Sequence, residues 1–316
     1  MNIQQLRYVR EAVRRNFNLT EVAHGLFATQ PGVSRAIKDL EDELGVEIFV
    51  RRGKRLLGLT EPGKHMIDVV ERVLTDTNNL KQIAEQFSNS DSGSLQLATT
   101  HTQARYALPK VIMRFRETFP QVQLGLHQGT PVQIAEMISH GRADIGIATE
   151  ALDKYPELWT FPCYTWHHAV IVPAAHPLTQ LDQLTLEAIA EYPIVTYEEA
   201  FTGRSHIDKA FTELGLQPDV VLTAIDADVI KTYVEVGLGI GIIASMAYLP
   251  AKDQGLKLLD ANHLFEGNTT LLAIRKGNFL RGYAQQFIRM FAPGISESAL
   301  KQALISSSSD RSAPRP

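Results

Sequence analysis

Between Thr20 and Gly45 the chain combines helix caps, small residues and an apolar spacing that leaves few alternatives to two short helices joined by a turn. Val33, Ile37, Leu40 and Leu44 recur at steps of four, three and four, and at about 100° per residue they share one helix face. Ser34, Arg35 and Lys38 cluster on the opposite face. Pro31 suits a first helical turn, where a missing N–H costs nothing, and Gly45 is placed to end the helix in a left-handed cap. Ahead of it, Thr20 is the expected cap of a shorter helix with Val22, Ala23 and Leu26 inward, and residues 28–30 form a brief turn. This is a helix-turn-helix pattern, in which the second helix enters the DNA major groove by its N-terminal end. It puts Thr29, Gln30, Pro31, Ser34, Arg35 and Lys38 at the groove. Amphipathic helix pairs also occur in proteins that never touch DNA, so the flanking residues have to decide.

They favour DNA. Residues 49–55 start as a short apolar strand and run into a basic turn, and Leu57 to Thr60 return as its partner, so the stretch reads as a hairpin wing. Arg51, Arg52, Lys54 and Arg55 surround Gly53, and such cations supply affinity along the phosphates without sequence choice. The net charge of the 316-residue chain is -4, yet residues 1–60 carry ten Lys and Arg against seven Asp and Glu. The basic surplus therefore sits on the proposed DNA-binding segment. A single cysteine, Cys163, excludes an internal disulfide. With no signal-peptide pattern and no long apolar span, the expected location is the cytoplasm.

Leu6, Val9 or Val13, and Phe17 predict a first helix beneath the motif, whose Arg7, Arg10 and Arg14 lie on its polar face. Thr60, Pro62 and Gly63 open a long helix in which Met66, Val70, Val73, Thr77, Leu80, Ala84 and Phe87 alternate steps of four and three. That is a heptad seam, and pairing with a second copy is the economical way to cover it. Packing on the chain's own second half is the alternative. A polar linker, residues 88–94, follows. Beyond it, strands at residues 95–98, 122–126 and 143–148 alternate with helices at 109–119 and 131–139, a parallel β-α-β-α-β pattern. A second set has strands at 169–172, 194–197, 220–223 and 240–244 with helices at 205–214 and 226–236. The last strand, 271–274, and the helix 280–291 are expected to return to the first set. The predicted class is α/β: a winged helix-turn-helix (1–60), a linker helix and hinge (61–93), and a two-lobed effector-binding domain (94–294) like periplasmic binding proteins. Its lobe I spans about 94–164 and 268–294 and its lobe II about 165–267; residues 295–316 are expected to be a helix remnant and a disordered tail.

Thr29-Gln30-Pro31-Gly32-Val33-Ser34-Arg35, followed by Leu40-Glu41-Asp42-Glu43-Leu44-Gly45 and Ile48-Phe49, resembles the N-terminal domain of the LysR-type transcriptional regulators. Residues 99–106, 201–205 and 226–233 look like the CysB and Cbl branch of that family. The resemblance implies a homotetrameric activator of cysteine-biosynthesis and sulfur-assimilation genes, bound to double-stranded operator DNA and in contact with RNA polymerase. It implies no cofactor but a small effector, acetylserine, sulfate or adenylyl sulfate, held by Thr100, Thr102, Gln103, Thr149 and Thr202. Residues 162–164 and 243–247 look more like CysB, without separating it from the sulfonate-responsive Cbl.

The residues alone give a compatible cleft. Thr99 and Thr100, Gly129 and Thr130, and Thr149 end the three strands of lobe I, so hydroxyls gather where the carboxyl ends of parallel strands open on a crevice. Helix N-termini there add N–H donors and favour an anion. Other features carry less. Gly237, Gly239 and Gly241 follow a helix and precede a strand, the reverse of a dinucleotide loop. His167 and His168 face opposite ways on a strand, so no metal is expected. Ser205, His206 and Asp208 cannot align as a triad on one helix, and no enzyme is expected. A small-anion solute receptor would explain the cleft but neither the basic segment nor the heptad helix.

Overall fold

The computed structural model describes residues 1–53, 55–88, 91–199, 201 and 203–309, with side chains to Leu304. Two compact units emerge, Met1–Glu85 with Gly277–Phe279 and the remainder. Among the described residues no helix is long and apolar enough to cross a membrane.

The first unit opens with α1 (Ile3–Arg14), α2 (Leu19–Gly25) and α3 (Gln30–Leu44), followed by the hairpin β1 (Phe49–Arg52) and β2 (Arg55–Leu59). The cap of α2 is Asn18, whose side chain accepts from the N–H groups of Thr20 and Glu21. Thr20 therefore lies inside the helix, two positions past the cap it was expected to be; a short amide two residues ahead of it competes equally well for that role. The Thr29 hydroxyl caps α3 by accepting from Gly32 N–H, and Gly45 ends the helix at φ 69°, as its spacing required. Val33, Ile37 and Leu40 close a core with Val9, Val22, Phe49 and Leu56. Phe17, expected to end the first helix, lies beyond it at positive φ, with its ring edge-on to Phe49. Arg14, on the polar face of α1, is bound to Glu71 at 3.0 Å.

Thr60 caps α4 (Glu61–Ser88): its hydroxyl accepts from Gly63 N–H at 3.0 Å and donates to the Glu47 carbonyl at 2.6 Å. Met66, Val70 and Leu74 pack on the core of the winged fold, whereas Val73, Leu80 and Phe87 are exposed, Phe87 by 87%. The first two seam positions of the sequence reading are thus internal, and the free apolar stripe starts at Val73.

In the second unit, β3 (Ser92–Thr99), β4 (Gln121–Gln128) and β5 (Ile145–Ala148) alternate with α5 (Leu108–Thr118) and α6 (Pro131–Ser139). β3 pairs in parallel with both β4 and β5. β3 takes in the second half of the expected linker. β6 (Leu158–Trp166), which the sequence reading did not assign, and β7 (His168–Pro173) lead out to lobe II. There α7 (Leu186–Ala190), β8 (Ile194–Tyr197), α8 (Arg204–Glu213), β9 (Val220–Ala224), α9 (Ala227–Glu235) and β10 (Ile240–Ala244) follow, then the unexpected β11 (Leu256–Asp260). The return is made by β12 (Asn268–Arg275), α10 (Gly282–Phe291) and α11 (Glu297–Ser309). The two sheets have the orders β4-β3-β5-β12-β6 and β11-β7-β10-β8-β9. In each, four strands run one way and a single strand, β12 or β7, runs against them, so both are mixed. Leu300 and Ala303 of α11 enter the core of lobe I. The lobe therefore continues past residue 294, where the sequence reading had ended it.

A buried carboxylate fixes the wing. Glu41 is 2% exposed; its Oε1 accepts from the N–H groups of Ile48 and Phe49 at 2.9 and 3.1 Å, and its Oε2 is 2.7 Å from Arg51 Nη2. Glu41→Ala should leave two buried donors and a guanidinium unpaired, at a cost of about 3–5 kcal/mol. Urea denaturation followed by circular dichroism should show that loss, with Glu41→Gln intermediate.

Candidate functional site

The first site is the exposed end of α3. Thr29, Pro31, Arg35 and Lys38 are exposed and Gln30 and Ser34 half-buried, all at or near one helix terminus. Lys38 pairs with Asp42 at 3.1 Å, an exposed ion pair of little consequence that DNA can displace. In the hairpin Arg52 and Arg55 face each other in register and are exposed. Arg51, expected to contact DNA, is partly exposed and also pairs with the buried Glu41 carboxylate, which demands a partner. Lys54 lies outside the described residues. A shallow depression brings Gln30 and Arg55 together with Arg15, Asn18 and Thr20. The last three were not singled out for DNA in the sequence.

The second site lies between the lobes. β3, β4 and β5 end at Thr99, Gln128 and Ala148, so Thr100, residues 129–130 and Thr149 follow at one edge of the sheet. Residues 101–118 form one helical run, and its stretch Gln103–Ala107 is a π turn in which Leu108 N–H donates to the Gln103 carbonyl. The run starts on Thr100, whose carbonyl accepts from Ala104 N–H at 3.0 Å. As at any helix start, the first N–H groups have no intrahelical partner. Thr100 and Thr102 are buried, and the Thr102 hydroxyl, 2% exposed, lies beside the Tyr197 phenol without a well-aligned hydrogen bond. Thr149 is half-buried, and Thr202 lies outside the described residues. Two groups are otherwise engaged. Thr130 caps α6 through Gln133 N–H, and the Gln103 amide donates to Thr270 at 3.1 Å while accepting from Tyr164. Gln103, read as a ligand contact, thus has its side chain turned into lobe I, where strands remote in sequence offer it both partners.

Glu150, the residue after Thr149, accepts from Gly203 N–H, and its other oxygen is buried without a partner among the described residues. Gly203 is at φ 67°, and a Cβ there would stand 2.0 Å from Asn268 Oδ1, so only glycine fits. Burial pushes the Glu150 carboxyl above the usual range, only partly opposed by the Gly203 N–H.

The residues 3–64 match the bacterial regulatory helix-turn-helix model of the lysR family, and residues 88–294 match the LysR substrate binding domain. The chain belongs to the LysR family of transcriptional regulators. It is 64% identical over 300 residues to the transcriptional regulator SsuR of Burkholderia cenocepacia, a match covering 95% of this chain and 97% of that one. CysB of the same organism is 52% identical over 304 residues, covering 96% and 97%. The crystal structure of the cofactor-binding domain of the Cbl regulator superposes with a TM-score of 0.66 at 50% identity, covering 68% of this chain and 95% of that one. SsuR is thus more similar to this regulator than CysB is, and the Cbl regulator of Escherichia coli, 52% identical over 310 residues, matches it as well as CysB does.

At the same cleft edge, ligand atoms of His101, Asp226 and Asp228 lie within 4.8 Å of one another. Asp226 already caps Val229 N–H, and Asp228 is bound by Arg105 and Lys231. A metal cation there would face two fixed positive charges, so the group is an ion-pair network. Burial pushes the Cys163 thiol up to about 12.

The Glu150 shift has a sign that can be checked. Its folded-state value is raised, so the fold favours the neutral acid, and stability is lost as pH rises from the unfolded to the folded value. Glu150→Gln keeps an acceptor for Gly203 and removes that loss. We expect a gain on the order of 1 kcal/mol at pH 8, or about 2–4 °C in Tm, vanishing below the usual carboxylate range. Scanning calorimetry of both proteins from pH 4 to 8 measures it.

Proposed function

We propose that this regulator controls sulfur-assimilation genes, as an activator of the cysteine-biosynthetic or sulfonate-responsive kind, in answer to a small anion bound between its lobes. What carries the reading is the start of the 101–118 helix at the carboxyl ends of three parallel strands. Two buried threonines stand there beside unpaired N–H groups, and no permanent charge lies in residues 99–103. Such a site holds an anion through neutral donors and a helix dipole. Thr100, Thr102, Thr149 and Thr202 supply hydroxyls, and Gln103 supplies its main-chain N–H and the second hydrogen of its amide. Sulfate, or the sulfate or carboxylate group of adenylyl sulfate or acetylserine, meets those donors without a proton of its own. Phosphate at pH 7 brings a proton that fixed donors leave unpaired, at about 1–3 kcal/mol. Similarity to SsuR, CysB and Cbl supports the same metabolic setting.

DNA recognition divides between base reading and backbone contact. Ser34, Arg35 and Lys38, with Thr29, Gln30 and Pro31, enter the groove; Arg52, Lys54 and Arg55 follow the phosphates. Arg35→Ala should lose about 1–3 kcal/mol of discrimination between operator and random duplex. Arg52→Ala should weaken both alike and reduce the salt slope by about 0.9. Fluorescence anisotropy over a salt series separates the two, and unchanged discrimination in Arg35→Ala removes that residue from the reading set.

The stripe Val73, Thr77, Leu80, Ala84 and Phe87 pairs with a second copy, giving dimers that associate further into tetramers and present DNA and a polymerase-facing surface together. Val73→Asp puts a charge in that seam. Sedimentation velocity should show dissociation, and a normal oligomer would place the stripe against something else.

Calorimetric titration of wild type and Thr102→Ala with sulfate, phosphate and acetylserine tests the effector site. Sulfate should bind wild type at least about 10-fold more tightly than phosphate. Thr102→Ala should lose about 10-fold for sulfate while operator binding without ligand stays unchanged. Equal affinities of both proteins for every ligand would move the site elsewhere.

A further inference from the structure

Directly beyond the effector threonines, the same helical run reaches across the cleft. Arg105 and Tyr106 belong to the π turn of lobe I, and Asp228 and Lys231 to α9 of lobe II. The Arg105 guanidinium pairs with Asp228 Oδ2, and the Tyr106 hydroxyl donates to Asp228 Oδ1 at 2.8 Å. Lys231, 6% exposed, donates to the Tyr106 hydroxyl at 3.2 Å and to the Ala247 carbonyl at 3.0 Å, and its Nζ is 3.1 Å from Asp253 Oδ1. The Tyr106 ring packs against the apolar cluster of lobe II around Val195, Ile230 and Ile243. One residue of lobe I is therefore built into the core of the other lobe.

We propose that Arg105, Tyr106, Asp228 and Lys231 form a latch between the lobes, and that the π turn Gln103–Ala107 couples it to the anion site. The coupling rests on the effector reading given above. Its physical basis is the register of the turn. A π turn carries one residue more than an α turn, so residues 101–103 are rotated relative to α5 by about 100° from where a regular helix would put them. Gln103 is pinned at one end of the turn by Thr270 and Tyr164, and Tyr106 is pinned at the other by Asp228 and Lys231. If the latch opens, the turn loses its distal anchor and the extra residue is free to relax, which moves the Thr100–Thr102 donors. Tyr106 and Asp228 are thus positioning residues for the anion site. The same linkage makes anion binding favour the latched form, since coupling between two sites is reciprocal.

The test uses full-length protein with Asp228→Asn, which removes the ion pairs but keeps an acceptor for Tyr106, and Tyr106→Phe, which removes one hydroxyl. Hydrogen exchange without any added anion should accelerate about 10-fold in residues 103–107 of Asp228→Asn, with β3 and β10 unchanged. Tyr106→Phe should show a smaller acceleration at the same place. Saturating sulfate should restore the protection, and the sulfate Kd should rise about 5- to 20-fold in Asp228→Asn with Tm within about 3 °C of wild type. Wild-type exchange in residues 103–107 of both variants overturns the latch, and accelerated exchange with an unchanged sulfate Kd overturns its coupling to the site. Should wild type bind no sulfate at all, the effector reading fails with it, while exchange without anion still decides whether the latch holds the turn. Should Asp228→Asn fail to fold, Tyr106→Phe alone decides by the same two measurements.

Discussion

Parallel strands cannot be joined by a hairpin; each must be followed by a crossing segment that carries the chain back, and here that segment is a helix. The consequence in this regulator is geometric. β3, β4 and β5 all finish at one edge of their sheet, and the segments after them, residues 99–103, 129–130 and 149–150, are delivered there together. In lobe II the same rule brings the residues after β8 and β9 to the corresponding edge, among them Gly203 and Asp226. Glu150 reaching Gly203, and Tyr106 reaching Asp228, show how tightly the two edges are drawn together.

The charge arrangement across that seam follows from burial. Lys231 is nearly enclosed, and burial by itself would lower its basicity, but hydrogen bonds to Tyr106 and Asp253 and the charge of Asp228 hold it above the ordinary lysine range. Burial likewise opposes ionisation of Asp228, yet Tyr106, Lys231 and Arg105 together keep its carboxyl below the usual range. Both groups therefore stay charged throughout the neutral range, and either one alone would be costly to enclose. At Glu150 the Gly203 N–H and the charges of His206 and Lys154 do not outweigh burial, and its shift runs the other way.

What the sequence disclosed was whatever a few neighbouring residues decide. Gly45 and Thr60 act on their own helix ends, and the structure has them where spacing put them; Thr29, expected in the turn, is the cap of α3. The parallel strands of both lobes were legible as apolar runs. β6 was not, because Pro162 in its middle argues against a strand; it is tolerated since β6 is the edge strand, with a register shift opposite Thr270 and Leu271. Arg51 read as one more cation of the wing, and only the fold shows the Glu41 carboxylate behind it. Gln103 read as a ligand contact, but its partners Tyr164 and Thr270 are 61 and 167 residues away. Asn18 could have been found locally, since it stands two residues before Thr20 in a sequence with two candidate caps.

Cys163 is the extra residue of the β6 irregularity, its Sγ 3.5 Å from the Phe161 carbonyl and its side chain against the core of lobe I. Burial pushes its thiol up to about 12, which disfavours the thiolate at pH 7. Oxidants and electrophiles attack thiolates, so the sole sulfhydryl of this chain offers them almost nothing to react with. The one thiol of this regulator is thus held in the form that oxidants and electrophiles attack least.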